Sequence, residues 1–112
     1  MQCKRERLVG GVVVLEVGAE GLGDISTAVT GRIRDLADEG RTKFLLDLSG
    51  VSSLDSHGFG DLIVGQQAAA RVGARVALCR VHAYVAEPLR VMNVVDRFDL
   101  FESEQDALQG FA

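Results

Sequence analysis

The chain has 112 residues, of which 47% are hydrophobic, 25% are charged and one is proline, a balance that describes one compact domain and excludes a disordered segment. A net charge of −4 disfavours a nucleic-acid partner, whose phosphates a basic surface would have to neutralise. No apolar run approaches the ~20 residues of a membrane span, and no signal peptide is expected ahead of the domain, so the chain is expected in the cytoplasm.

From Leu8 to Val17 the residues are mostly β-branched, and Gly10-Gly11 interrupts them as a tight turn or bulge between two strands. Ala19 to Gly23 is expected to be a loop. From Ile25 the apolar positions Ile25, Ala28, Val29, Ile33, Leu36 and Ala37 recur at helical spacing, with Asp24 at the N-cap position and Gly40 as the stop. Lys43 to Leu48 reads as a strand, buried from Phe44 onward. Phe59, Leu62, Ile63, Ala69 and Ala70 predict a second helix that ends near Gly73. Arg75 to Cys79 is the next strand, and a third helix runs from about Tyr84 to Met92. Pro88 objects to that helix unless it falls in the first turn, where its missing N–H costs little. Phe98 to Phe101 is a short strand, and Ser103 opens a terminal helix that reaches Phe111. Strands alternating with helices predict an α/β fold: one domain over residues 1–112, with a mixed sheet of four to five strands and four helices.

Few stretches carry chemistry. The loop from Gly18 to Asp24 lacks the GxGxxG frame and the Walker lysine, and its Glu20 and Asp24 repel an anion, so plain turn chemistry is its reading. Cys3 and Cys79 make no metal-ligand spacing; they read as a frayed terminal thiol and a thiol in a strand core. No metal or cofactor is implied. Asp55, Ser56 and His57 look superficially like a hydrolytic triad, but adjacent residues at a helix start point in different directions. Leu54 also stands where the first glycine of a nucleophile elbow belongs, and His82 falls in a distant strand-to-helix turn. Binding is therefore expected, not catalysis. Phe59, Leu62 and Ile63 read as core residues, with Phe59 also placed to cover an interaction patch. Ser56 itself stands where an apolar strand and a loop give way to a helix. Free N–H groups in a first helical turn favour negative charge, so a phosphate on this serine is compatible with the fold.

The segment from Leu45 to Ile63, LLDLSGVSSLDSHGFGDLI, resembles the signature of the STAS domain found in bacterial anti-sigma-factor antagonists: an apolar strand, D-L-S/T-x-V, a short loop, then D-S-S-G-L-G opening a helix. Gly23-Asp24 is similar to the start of that family's first helix, Gly73 to Leu78 to its glycine before the fourth strand, and Phe98 to Leu108 to its f-x-x-f-x-s-e-x-x-A-L ending. His57 departs from a second serine and Phe59 from a leucine. The resemblance implies phosphorylation of Ser56 by an anti-sigma-factor serine kinase and its reset by a phosphatase. It further implies that the dephosphorylated chain binds the anti-sigma factor and frees the sigma factor. The partner-binding residues so implied are Asp24, Asp55, Ser56, His57, Gly58, Phe59, Asp61 and Leu62, on a monomer or weak dimer. Two other readings stay open: a phosphorylation-independent accessory or scaffold domain of a transport complex or stress-signalling assembly, and a small nucleotide-binding enzyme.

Overall fold

The computed structural model describes residues 2–18, 25–51, 56–96 and 99–111, without the side chains of residues 2–4, 25–30, 56–58, 61 and 92–96. In chain order the elements are β1 (Gln2–Val9), β2 (Val12–Gly18), α1 (Ile25–Asp38), β3 (Lys43–Gly50), α2 (Ser56–Arg71), β4 (Arg75–Cys79), α3 (Ala83–Asp96), β5 (Asp99–Phe101) and α4 (Glu104–Phe111). The five strands form one mixed sheet in the order β1-β2-β3-β4-β5. β1 and β2 are an antiparallel hairpin, and β2 through β5 run parallel. The hairpin turns on Gly10-Gly11, both at positive φ (+55° and +83°), the backbone that a two-residue turn between right-twisted strands needs.

Period-two alternation along the strands gives the sheet two apolar faces. Val13, Leu15, Val17, Phe44, Leu46, Leu48, Val76 and Leu78 pack on one face against Ile33 and Leu36 of α1, Leu62 and Ala69 of α2, and Val85 and Leu89 of α3. The neighbouring positions Val12, Val14, Leu45, Ala77 and Cys79 face the other way and meet only Ala107 and Phe111 of α4 among the buried residues. Ser103 caps α4, its hydroxyl accepting from the Asp106 N–H at 3.1 Å.

Four features differ from the sequence expectations. β1 reaches back to Gln2, because its charged stretch forms a sheet edge rather than a tail: Arg5 and Arg7 meet Glu16 on one side, and Arg32 of α1 binds Glu6 on the other at 2.7 and 2.9 Å. Cys3 consequently lies in that strand, paired with Val17, and not in a frayed end. α3 runs four residues past Met92, and Pro88 sits in its second turn instead of its first. That proline withholds one helical hydrogen bond from the carbonyl of Tyr84, a residue open to solvent.

Candidate partner-binding rim

Parallel strands end at a common edge, and the loops that leave it lead to the starts of α1, α2 and α3. Ligand and partner contacts in open α/β sheets gather at this edge because the loops and helix N-termini there are free of the sheet's own packing. In this chain the edge is held by side chains. Asp47, 4% exposed, is the one buried polar or charged side chain among the described residues. Its Oδ1 accepts the Ser49 N–H at 2.9 Å and pairs with the Arg80 Nε at 3.5 Å. Arg80 Nη2 donates to Ser49 Oγ at 2.8 Å, and the Arg80 N–H donates to the Phe101 carbonyl at 3.3 Å. His82 Nε2 donates to the Ser49 carbonyl at 3.0 Å, while the carbonyl of His82 accepts the N–H groups of Val85 and Ala86 and so starts α3. The exits of β3, β4 and β5 are thus tied together by four side chains and one backbone bond between Arg80 and Phe101.

Packing narrows the choice of residue beyond that network. A Cβ on Gly50 would stand 2.9 Å from the Val17 carbonyl, so the exit of β3 has room for glycine only. Val51 is fully buried, its N–H bonded to the Leu48 carbonyl, and it anchors the chain before it leaves for α2. Beside Asp47 in the sheet register stands Cys79, whose thiol is pushed up to about 12 by burial first and by the Asp47 charge second. It remains a neutral thiol at ordinary pH and has no use as a nucleophile.

Ser56 is the first residue of α2, and no acidic residue occupies that first turn. His57, Gly58 and Asp61 follow within the helix, and nothing is described of their side chains. Asp24 and Asp55, the other two expected contact residues, lie outside the described residues. Phe59 is half-buried against the core beneath α2, as is Ile63. Leu62 is corrected: at 4% exposure it is a core residue under the helix and offers a partner no surface. Sequence reasoning did not assign the rim to Arg80, Asp47 or Ser49, although Asp47 and Ser49 stood inside the recognised motif. Arg80 is the sole described non-glycine residue at positive φ (+54°), and its half-exposed guanidinium brings a positive charge to this edge. Beside it, Ala86, Arg90, Leu100, Phe101 and Glu102 line a cleft of about 210 Å³ between α3 and β5. Among the described residues no three His, Cys, Asp or Glu side chains gather as metal ligands.

The profile of the STAS domain matches residues 6–107. The chain belongs to the STAS domain family. An anti-sigma-factor antagonist (STAS) domain protein from Planctomyces limnophilus superposes with a TM-score of 0.75 at 20% identity, over 100% of this chain and 99% of that one. A serine-to-glutamate variant of RsbS from Moorella thermoacetica superposes with a TM-score of 0.70 at 16% identity, covering 95% and 92% of the two chains. The murine anion transporter Slc26a9 contains a similar domain, with a TM-score of 0.68 at 22% identity, over 91% of this chain but 18% of the transporter. At such identities the likeness speaks for the fold alone. No curated protein matches this STAS domain in sequence, and no described helix is long and apolar enough to cross a membrane.

Proposed function

We propose that this STAS domain, acting as one unit over residues 1–112, is an anti-sigma-factor antagonist: a cytoplasmic, non-catalytic binding protein. Dephosphorylated, it holds an anti-sigma factor and frees the sigma factor. Phosphorylation of Ser56 by that partner's serine kinase activity switches it off, and a phosphatase resets it. One observation carries the reading: the motif serine opens α2 directly beyond the braced end of β3, in a chain that matches the STAS profile. N–H groups free in the first turn of a helix of this length favour an added negative charge.

A phosphate adds about −1.5 to −2 charges at neutral pH. Free N–H groups of the first turn offset part of that charge within the fold, so the folded state persists. A partner that desolvates the same surface has no such offset and is lost. Asp24, Asp55, His57, Gly58, Phe59 and Asp61 complete the proposed contact surface around Ser56.

The test is phosphorylation by the cognate kinase with ATP, followed by mapping of the product. Phosphate on Ser56 alone, with Ser56→Ala still binding the kinase but escaping regulation, supports the switch. Phosphate on Ser53 or Thr30 with Ser56 unmodified refutes it. A second reading, a phosphorylation-independent accessory domain of a transport assembly, draws on the domain's likeness to part of Slc26a9. Binding that is indifferent to Ser56→Asp and Ser56→Ala alike favours that reading.

A further inference from the structure

The side of α3 turned away from the core breaks the usual amphipathic pattern. Val85, Ala86 and Leu89 are buried, as an inward face should be. On the opposite face Tyr84 is 84% and Val91 75% exposed, the two largest values among the exposed large hydrophobic side chains, and the exposed Pro88 lies between them. The spacing of four and then three residues puts all three in one stripe, about 10 Å long at 1.5 Å per residue. Glu87 and Arg90 flank the stripe and pair with each other at 3.1 Å.

Three side chains are too few for a stable interface, which takes roughly 800 Å² from each partner. An occupant of the stripe must therefore extend past one of its ends. At the Tyr84 end the chain leads into His82 and Arg80, whose Nε and Nη2 are engaged with Asp47 and Ser49 while Nη1 has no partner among the described residues. The same rim carries the start of α2. A second copy paired two-fold along this stripe covers only the same three side chains on each chain, short of the area a stable dimer needs.

We propose that the partner-binding surface runs from the start of α2 across Arg80 onto the Tyr84–Pro88–Val91 stripe. The anti-sigma factor meets it with an apolar patch bordered by a carboxylate that pairs with Arg80. This rests on the switch reading above, and the experiment separates the two. The probe is the purified anti-sigma kinase, from the same organism, that transfers phosphate from ATP to this chain. Its dissociation constant is measured calorimetrically for the wild type, for Tyr84→Asp combined with Val91→Asp, for Arg80→Glu, and for Val64→Asp as a control on an exposed apolar side chain of α2. The double variant is expected to bind about tenfold or more weakly and Arg80→Glu to lose affinity most at low salt, with the control within about twofold of the wild type. Both stripe positions are solvent-exposed, so thermal unfolding of the double variant stays near that of the wild type; the milder Tyr84→Ser repeats the binding measurement if it does not. Equal affinity of wild type and double variant overturns the docking surface and leaves the switch standing. A wild-type dimer in sedimentation that the double variant dissolves assigns the stripe to self-association and overturns the proposal as well. Failure of every such kinase to bind the wild type removes the switch and this surface together.

Discussion

Where α1 and α2 hand over to the strands that follow, both do so in the same way. Gly40 and Gly73 stand at positive φ, and the amides of Arg41 and Ala74 reach back to the carbonyls of Leu36 and Ala69. Glycine meets the left-handed backbone without strain, and backbone bonds alone close the last helical turn. At the opposite ends of the strands Arg80 is the one described residue in that left-handed region, and side chains do the tying. A turn whose only task is to reverse the chain is cheapest with glycine. An arginine kept in that conformation points to work for its guanidinium, and the bracing of Asp47 and Ser49 is that work.

That contrast can be broken most severely at Asp47. Asp47→Ala removes the acceptor shared by the Ser49 N–H and Arg80, and should lower stability by about 1.5–3 kcal/mol in urea unfolding, because hydrogen bonds to a charged acceptor are lost. A loss under about 0.5 kcal/mol would mean that water replaces the carboxylate and that the rim needs no brace.

Gly73→Ala tests the other end of the strands. Nothing stands within 4 Å of the added Cβ, so the cost is the positive φ alone, about 1–2 kcal/mol. Phosphorylation and partner binding should be unaffected, since the turn lies away from the rim.

A smaller effect follows from Cys79 in its strand beside Asp47. Its pKa rises from 9.0 to about 12 in the folded chain, so the folded state holds a proton that the unfolded chain gives up first. The stability is fully present below pH 9 and declines as pH rises from there toward 12, by at most about 1.4 kcal/mol per pH unit. Comparing wild type with Cys79→Ala across that window should show the shallower decline in the variant; identical slopes would contradict the burial of the thiol.

Arg80→Gly sharpens the comparison with the least change in stability. Relief of the left-handed conformation, about 1 kcal/mol, opposes the loss of bonds to Asp47 and Ser49. The two should leave stability within about 1 kcal/mol of the wild type, while amide exchange at Ser49 to Val51 accelerates. Unchanged exchange there would deny Arg80 its bracing role.

Much of this architecture was legible in the sequence because the signals were local. Val12–Val17 and Phe44–Leu48 are apolar runs of strand length, the glycines mark the turns, and Ser103 with Asp106 writes out a helix cap. β1 was harder, since a charged edge strand carries neither an apolar run nor clean alternation. On the site, Asp47, Ser49 and Ser56 lay within one recognisable segment. Arg80 and His82 stand 31 and 33 residues from Ser49, and only the parallel pairing of β3 with β4 brings them to it. Nor does any property of the letter R announce a positive φ. Leu62 reads as core from its helical spacing and is core; only its place among the contact residues that the resemblance implies is lost.

The margins of the sheet bear on how the protein behaves when concentrated. β5 offers three residues, and β1 is bulged between Cys3 and Arg5 and studded with charge. A foreign strand seeking to add to either side finds a template too short at one and irregular and solvated at the other, so fibrils and strand-swapped aggregates lack a place to start.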